Sequence, residues 1–208
     1  MAQRVSRILV FIPAVLVLAV LTTAVPSSQN LASAKAFFAE GLNEQVLIQG
    51  AMPTTILTGW LKTSNVGDLM IGVSMECALW TGTKNSASKG GGQTSSTSRA
   101  AVNVTVFVDG SPANPGQVVY CDREQTVNLT FQSNDVVTTD AVILELFLKT
   151  KNANHFNFYA RNPGSGVHNV LVKASGIVAA DPDAAAGSTR AAIGKRTLVI
   201  EEFNSANQ

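Results

Sequence analysis

Charge is scarce in this chain: only 14% of its 208 residues are Asp, Glu, Lys or Arg, and 15 basic side chains nearly cancel 14 acidic ones. The Lys and Arg residues are scattered rather than gathered into a stripe, so the electrostatic footprint of a nucleic-acid binder is missing. Histidine is rarer still. His155 and His168 are the only two, and neither sits in an HExxH, H-x-H or facial-triad spacing, so no metal centre is marked. No G-x-S-x-G elbow is present to expose a nucleophile. Lys89-Gly90-Gly91-Gly92 suggests a phosphate cradle, but the GxxxxGK[ST] pattern that would make it one is not there. The sequence therefore supplies no catalytic residue, no metal ligand set and no cofactor site. Aromatics make up 6% of the chain, and Trp60, Trp80, Tyr120 and Tyr159 are dispersed rather than clustered. No internal repeat supports a propeller or solenoid.

What the chain does have begins at its amino terminus. Arg4 and Arg7 precede an apolar run from Ile8 to Val25, and Ala32-Ser33-Ala34 offers small residues to a signal peptidase. This predicts a signal peptide over residues 1–34, read as an N-terminal hydrophobic helix, and a secreted or extracytoplasmic protein at a cell surface or in a periplasm. The run also reaches the lower limit for crossing a bilayer, so the alternative is a chain anchored in the membrane by residues 8–25. Pro13 within the run and the Pro26-Ser27-Ser28 break after it favour cleavage. Membrane contact is expected through this segment alone.

Export suits the two cysteines. In an oxidising compartment Cys77 and Cys121 are expected to form one disulfide, whereas a metal site would want more ligands close by. The spacing of Cys77, Trp80 and Cys121 is not that of an antibody-type domain. Asn103-Val104-Thr105 and Asn128-Leu129-Thr130 match the glycosylation acceptor pattern, which matters only in a host that glycosylates. Asp181-Pro182-Asp183 places alternate carboxylates as at the start of a calcium loop, but it continues into Ala184-Ala185-Ala186 and reads as an acidic turn.

Hydrophobic periodicity predicts strands. Leu69, Ile71, Val73, Met75, Cys77 and Leu79 alternate with Met70, Gly72, Ser74, Glu76, Ala78 and Trp80, and Val102, Val104, Val106 and Val108 repeat the pattern. Gln125 to Gln132 and Ala141 to Lys149 do the same, the latter with Val142, Leu144, Leu146 and Leu148 on one face. Further strands are expected at Glu44–Gly50, Thr54–Lys62, Gln117–Asp122, His155–Arg161, Val167–Ala179 and Arg196–Phe203, separated by Gly- and Pro-bearing turns. Nine or ten short strands without intervening helices mean an all-β fold, an antiparallel β-sandwich or jelly-roll-like domain, over residues 35–208 as one domain. Ala34 to Asn43 and Asp181 to Ala192 could each form a short helix or turn. Residues 82–98, GTKNSASKGGGQTSSTS, bury nothing apolar and are expected as a flexible loop.

These features favour an exported, non-catalytic structural or interaction subunit that self-associates or binds a protein partner, with Lys35 to Gly50 as a candidate arm for strand addition. The alternative is a secreted carbohydrate- or small-ligand-binding module, which would show two of the named aromatics exposed side by side. The third is an exported hydrolase, which would hold His155 or His168 beside a carboxylate or serine in a concave site.

Overall fold

The computed structural model describes residues 36–47, 52–63, 67–88, 93–130 and 141–203. The segment read as a signal peptide, residues 1–34, lies outside them. The described residues form ten strands and no helix: β1 (Ala36–Gly41), β2 (Gln45–Leu47), β3 (Thr54–Thr63), β4 (Asp68–Ser88), β5 (Gln93–Val108), β6 (Ser111–Pro112), β7 (Val118–Thr130), β8 (Ala141–Ala160), β9 (Gly166–Ala179) and β10 (Arg190–Phe203). They build two antiparallel five-stranded sheets packed face to face. In the first sheet β1 and β2 share one side of β10, then come β4 and, last, β8; in the second, β3, β9 and β5 are followed by β7 and the short β6. Along the chain β1 pairs with β10, β3 with β9, β4 with β8 and β5 with β7. The chain is thus one long hairpin wound over two layers, the winding by which a jelly roll is made.

The alternation in the sequence decides what lies between the layers. Leu69, Ile71, Val73, Met75, Cys77 and Leu79 of β4 are each no more than 3% exposed, and they meet Val102, Val104 and Val106 of β5, Val170 and Val172 of β9, and Leu198 and Ile200 of β10. Each such side chain removed from water stabilises the fold by about 1.5–3 kcal/mol before entropy is counted. Cys77 and Cys121 are disulfide-bonded, with Cα atoms 6.5 Å apart, and the bridge ties β4 of one sheet to β7 of the other. Gly59 is required by close approach: a Cβ there would lie 2.7 Å from Ile200 Cδ1 and 2.8 Å from a Phe37 ring carbon.

Three local expectations give way to long-range pairing. Ala34 to Asn43, a candidate helix, is strand from Ala36 to Gly41, because it pairs residue for residue with β10 and turns Phe37 and Ala39 toward the core. Residues 82–98 are not one flexible loop: 82–88 continue β4 and 93–98 begin β5, while 89–92 lie outside the described residues. Within them Thr83, Asn85, Ser96 and Thr97 make side-chain hydrogen bonds where apolar burial is lacking. The strands are also longer than expected. Gln117–Asp122 and the described part of Gln125–Gln132 merge into β7, and Ala141–Lys149 joins His155–Arg161 as the 20-residue β8, whose polar middle is held by the ladder from Leu79↔Thr150 to Met75↔Asn154. Of the second candidate helix or turn, Asp181 to Thr189 is a connection made of turns, with Gly187 at a φ of 75°, and Arg190 to Ala192 begin β10.

Candidate functional site

The arrangement nearest to catalytic chemistry surrounds His168, which β9 points inward in line with Val170 and Val172. Its Nδ1 lies 2.7 Å from Asp109 Oδ2, and its Nε2 lies 3.1 Å from both Thr63 Oγ1 and the Gly164 carbonyl. Hydroxyl, imidazole and carboxylate therefore stand in the order of a nucleophilic triad. The details are those of a structural clasp. The Thr63 hydroxyl is only 2% exposed and donates to Gly164 O at 3.0 Å, so its proton is already committed to a carbonyl. Asp109 also accepts from Asn169 N–H at 2.8 Å, fixing the turn after β5 where its own φ is +50°. A cleft of about 330 Å³ beside this cluster is lined by Asp109, Asn114 and Arg161, and neither Thr63 nor His168 reaches it.

His155 is exposed on the outer face of the first sheet, its Nδ1 2.8 Å from Ser74 Oγ and its Nε2 2.8 Å from Asn157 Oδ1. The two histidines are thus kept apart, one inside the sandwich and one outside it. The carboxylates serve as ties. Asp122 accepts from Arg99 Nε at 2.9 Å, and that hydrogen bond holds its carboxyl below the usual range. Glu76 is lowered in the same way, first by the hydrogen bond from Lys151 and then by the Lys195 backbone N–H. Among the described residues no group of three His, Cys, Asp or Glu side chains is placed to hold a metal ion.

The four dispersed aromatics are not brought together as a sugar platform. Tyr120 is buried and donates its hydroxyl to Val73 O at 2.7 Å, burial pushing the phenol well above its ordinary pKa. Trp80 is 5% exposed, covered by Arg190 and Lys149, whose charged groups lie 4.3 and 5.0 Å from its ring centre. Trp60 is half-buried against Phe37, which leaves Tyr159 as the one exposed member. Of the two glycosylation acceptor sites, Asn128 is exposed on β7 and Asn103 is half-buried on β5.

Asp181, singled out in sequence as part of an acidic turn, is a buried cross-brace. Its Oδ2 accepts from Lys84 N–H of β4 at 2.7 Å and from the Ser96 hydroxyl of β5, and its Oδ1 accepts from Asp183 N–H at 3.0 Å. Burial works to raise its pKa, but the three hydrogen bonds together outweigh it, and the carboxyl is held below its ordinary value. Further polar groups lie between the sheets at this end. Thr81 Oγ1 donates to Gln125 Oε1 at 2.8 Å, while Gln125 Nε2 donates to Thr83 Oγ1 at 2.6 Å and to Leu146 O at 3.2 Å. Asn85 Nδ2 donates to the carbonyls of Thr94 and Val127, both at 3.0 Å.

Apart from Val127, buried on β7, the large apolar groups described at this end are on the outside. β8 is the last strand of its sheet, and along Ile143 to Leu148 it exposes large side chains on both faces: Ile143 (60%) and Phe147 (58%) outward, Leu144 (42%), Leu146 (39%) and Leu148 (36%) on the side of the facing sheet. Among the described residues no strand pairs with this stretch on the side away from β4, and an edge strand with apolar side chains on both faces is a template for another strand. The candidate arm is differently placed. β1 and β2, from the Lys35 to Gly50 segment, lie against their own chain's β10, and the Arg196 guanidinium locks the turn between them by donating to Asn43 O at 2.8 Å and to Ile56 O of β3 at 3.0 Å.

No protein-family model matches the chain, and neither does any curated protein. Among solved structures it is faintly similar to chains of the infectious bursal disease virus T13 viral particle, with 11% identity, 84% of this chain and 41% of that chain covered, and a TM-score of 0.22. For the VP2 subviral particle of the same virus the identity is 11%, the coverage 82% and 42%, and the TM-score 0.23. The chain spans about two fifths of the length of those chains. At that level of similarity nothing about this protein rests on the likeness.

Proposed function

We propose that the protein is an exported, non-catalytic structural subunit whose β-sandwich associates with further copies of itself. The observation that carries this reading is the apolar stretch Ile143 to Leu148 of β8, exposed on both faces and, among the described residues, on the outermost strand of its sheet. Leaving that stretch in water is costly, and covering it by association recovers about 25 cal/mol per Å² of apolar surface. The Cys77–Cys121 bridge is in keeping with folding in an oxidising compartment. The locked Thr63–His168–Asp109 cluster and the separated aromatics leave the hydrolase and sugar-binding readings without a specific observation in their favour.

Sedimentation velocity tests the proposal, on protein expressed from the full sequence and purified with the disulfide intact. The expected result is a species whose sedimentation coefficient rises with concentration toward a defined oligomer or filament. A monomer that persists at every concentration overturns the reading.

A further inference from the structure

We infer that β8 joins β8 of a second copy in an antiparallel, two-fold pairing centred on Phe147, an inference that rests on the self-association reading above. The far end of the strand shows which backbone groups face away from β4 and can make it. There Tyr159 N–H donates to Asn114 O, and Asn114 N–H to Tyr159 O, both at 2.9 Å, across the side of β8 that faces away from β4. The β4–β8 ladder runs from Leu69↔Ala160 to Ser88↔Ala141 without a register shift. In an antiparallel ladder every second residue turns its N–H and C=O to the same side. Counting back from Tyr159, Lys151, Lys149, Phe147, Glu145 and Ile143 therefore offer theirs to the open side. An added strand must set odd residues opposite odd residues.

Charge and apolar matching then choose among the registers of a self-pair. Centring on Glu145 places two carboxylates opposite one another. Centring on Leu146 sets Glu145 against Phe147, and centring on Leu148 sets Phe147 against Lys149. Centring on Phe147 has none of these conflicts. Glu145 then faces the second copy's Lys149 twice over, the two Phe147 rings meet on the outer face, and Leu146 meets the second copy's Leu148 twice on the inner face. Opposite charges and aromatic or aliphatic partners placed directly across strands stabilise pairing, and like charges oppose it. The ions are available for this role. Glu145 is 66% exposed although it pairs with Lys84 at 3.3 Å, and Lys149 rests over Trp80 with no carboxylate partner among the described residues, whereas Lys151 is already engaged by Glu76 at 2.9 Å. The product would be one continuous sheet running through both sandwiches, with the self-complementary contact expected of a two-fold interface.

A charge-swap experiment on the full chain decides it. Glu145→Lys and Lys149→Glu should each weaken association by about tenfold or more, because each puts like charges across both ends of the pair. An equimolar mixture of the two variants should associate again, since each then supplies the charge the other lacks. Thermal unfolding of each variant checks that both remain folded. A cross-link gives a second, independent measurement: Phe147→Cys should oxidise to a covalent dimer, because residues paired across the axis have Cα atoms about 5.5 Å apart, within disulfide range. Ile143→Cys should not, its two copies being separated by about 27 Å along the strands. If the unaltered protein associates while both charge variants associate equally well, or if Ile143→Cys cross-links and Phe147→Cys does not, the β8 register is wrong and the self-association reading stands. If the unaltered protein is a monomer, that reading itself falls.

Discussion

Along β4 the inward face is apolar from Leu69 to Leu79 and polar from Thr81 to Asn85, and the facing strands change character at the same level. On β5, Val102 to Val108 give way to Ser98, and on β7, Tyr120 and Cys121 give way to Gln125. The apolar half is held by burial, which tolerates small displacements. The polar half is held by directed hydrogen bonds, each worth only about 0.5–1.5 kcal/mol net but costly to leave unmade. That half should therefore be the less stable of the two and the more demanding of its register. It is also the half whose large apolar side chains lie outside, on β8. A contact along that edge would add burial where the interior supplies least.

The largest effect is expected in the apolar half. Phe158 is fully buried in the core, and Phe158→Ala should cost about 3–5 kcal/mol in urea unfolding, through lost burial and the cavity left behind. A loss of less than about 1 kcal/mol would mean that the apolar half does not dominate stability.

The apolar half is also the part that a reader of the sequence sees. Period-two alternation from Leu69 to Leu79 and from Val102 to Val108 announces both strands and their buried faces, and the oxidising context pairs Cys77 with Cys121. The polar half is hidden because its order comes from partners distant in sequence. Nothing in TGTKNSAS reveals that Thr81 and Thr83 will meet Gln125, or that Asn85 will meet the Val127 carbonyl. The same holds for the Asp109–His168–Thr63 clasp, whose members come from three separated segments, and for β1, whose Phe37 and Ala39 look as well suited to a helix until β10 is there to pair with. β8 was legible as a strand through Val142, Leu144, Leu146 and Leu148. Its place as the outermost strand was not, because alternation reports that a strand has two faces and not what covers them.

A smaller loss should follow from breaking the polar half. Gln125→Leu keeps the volume but leaves the Thr81 and Thr83 hydroxyls without their amide partner, and should cost about 2 kcal/mol. Adding Thr81→Val and Thr83→Val removes the orphaned groups together, and the triple variant should return to within about 1 kcal/mol of the parent in the same urea titration. If the triple variant is no better than Gln125→Leu alone, the interior at this end is limited by shape rather than by hydrogen bonding.

Asp181 gives the smallest and most selective test, because its contribution depends on its charge. Its folded pKa is lowered, so the stability it provides is fully present above the unfolded carboxylate pKa of about 3.9 and is lost as pH falls through the folded value below it. Asp181→Asn keeps one oxygen acceptor but removes the charge that strengthens the bonds from Ser96 and the Lys84 and Asp183 N–H groups. The variant should be less stable than the parent by about 1 kcal/mol at pH 7, and the gap should close as the buffer is taken below pH 3.9, where the native side chain also becomes neutral. A gap that stays constant down to pH 2 would assign the loss to packing of the 181–189 connection. A gap that closes would show that this end of the sandwich is braced by a buried carboxylate, the role that hydrophobic contact fills on the other side of Leu79.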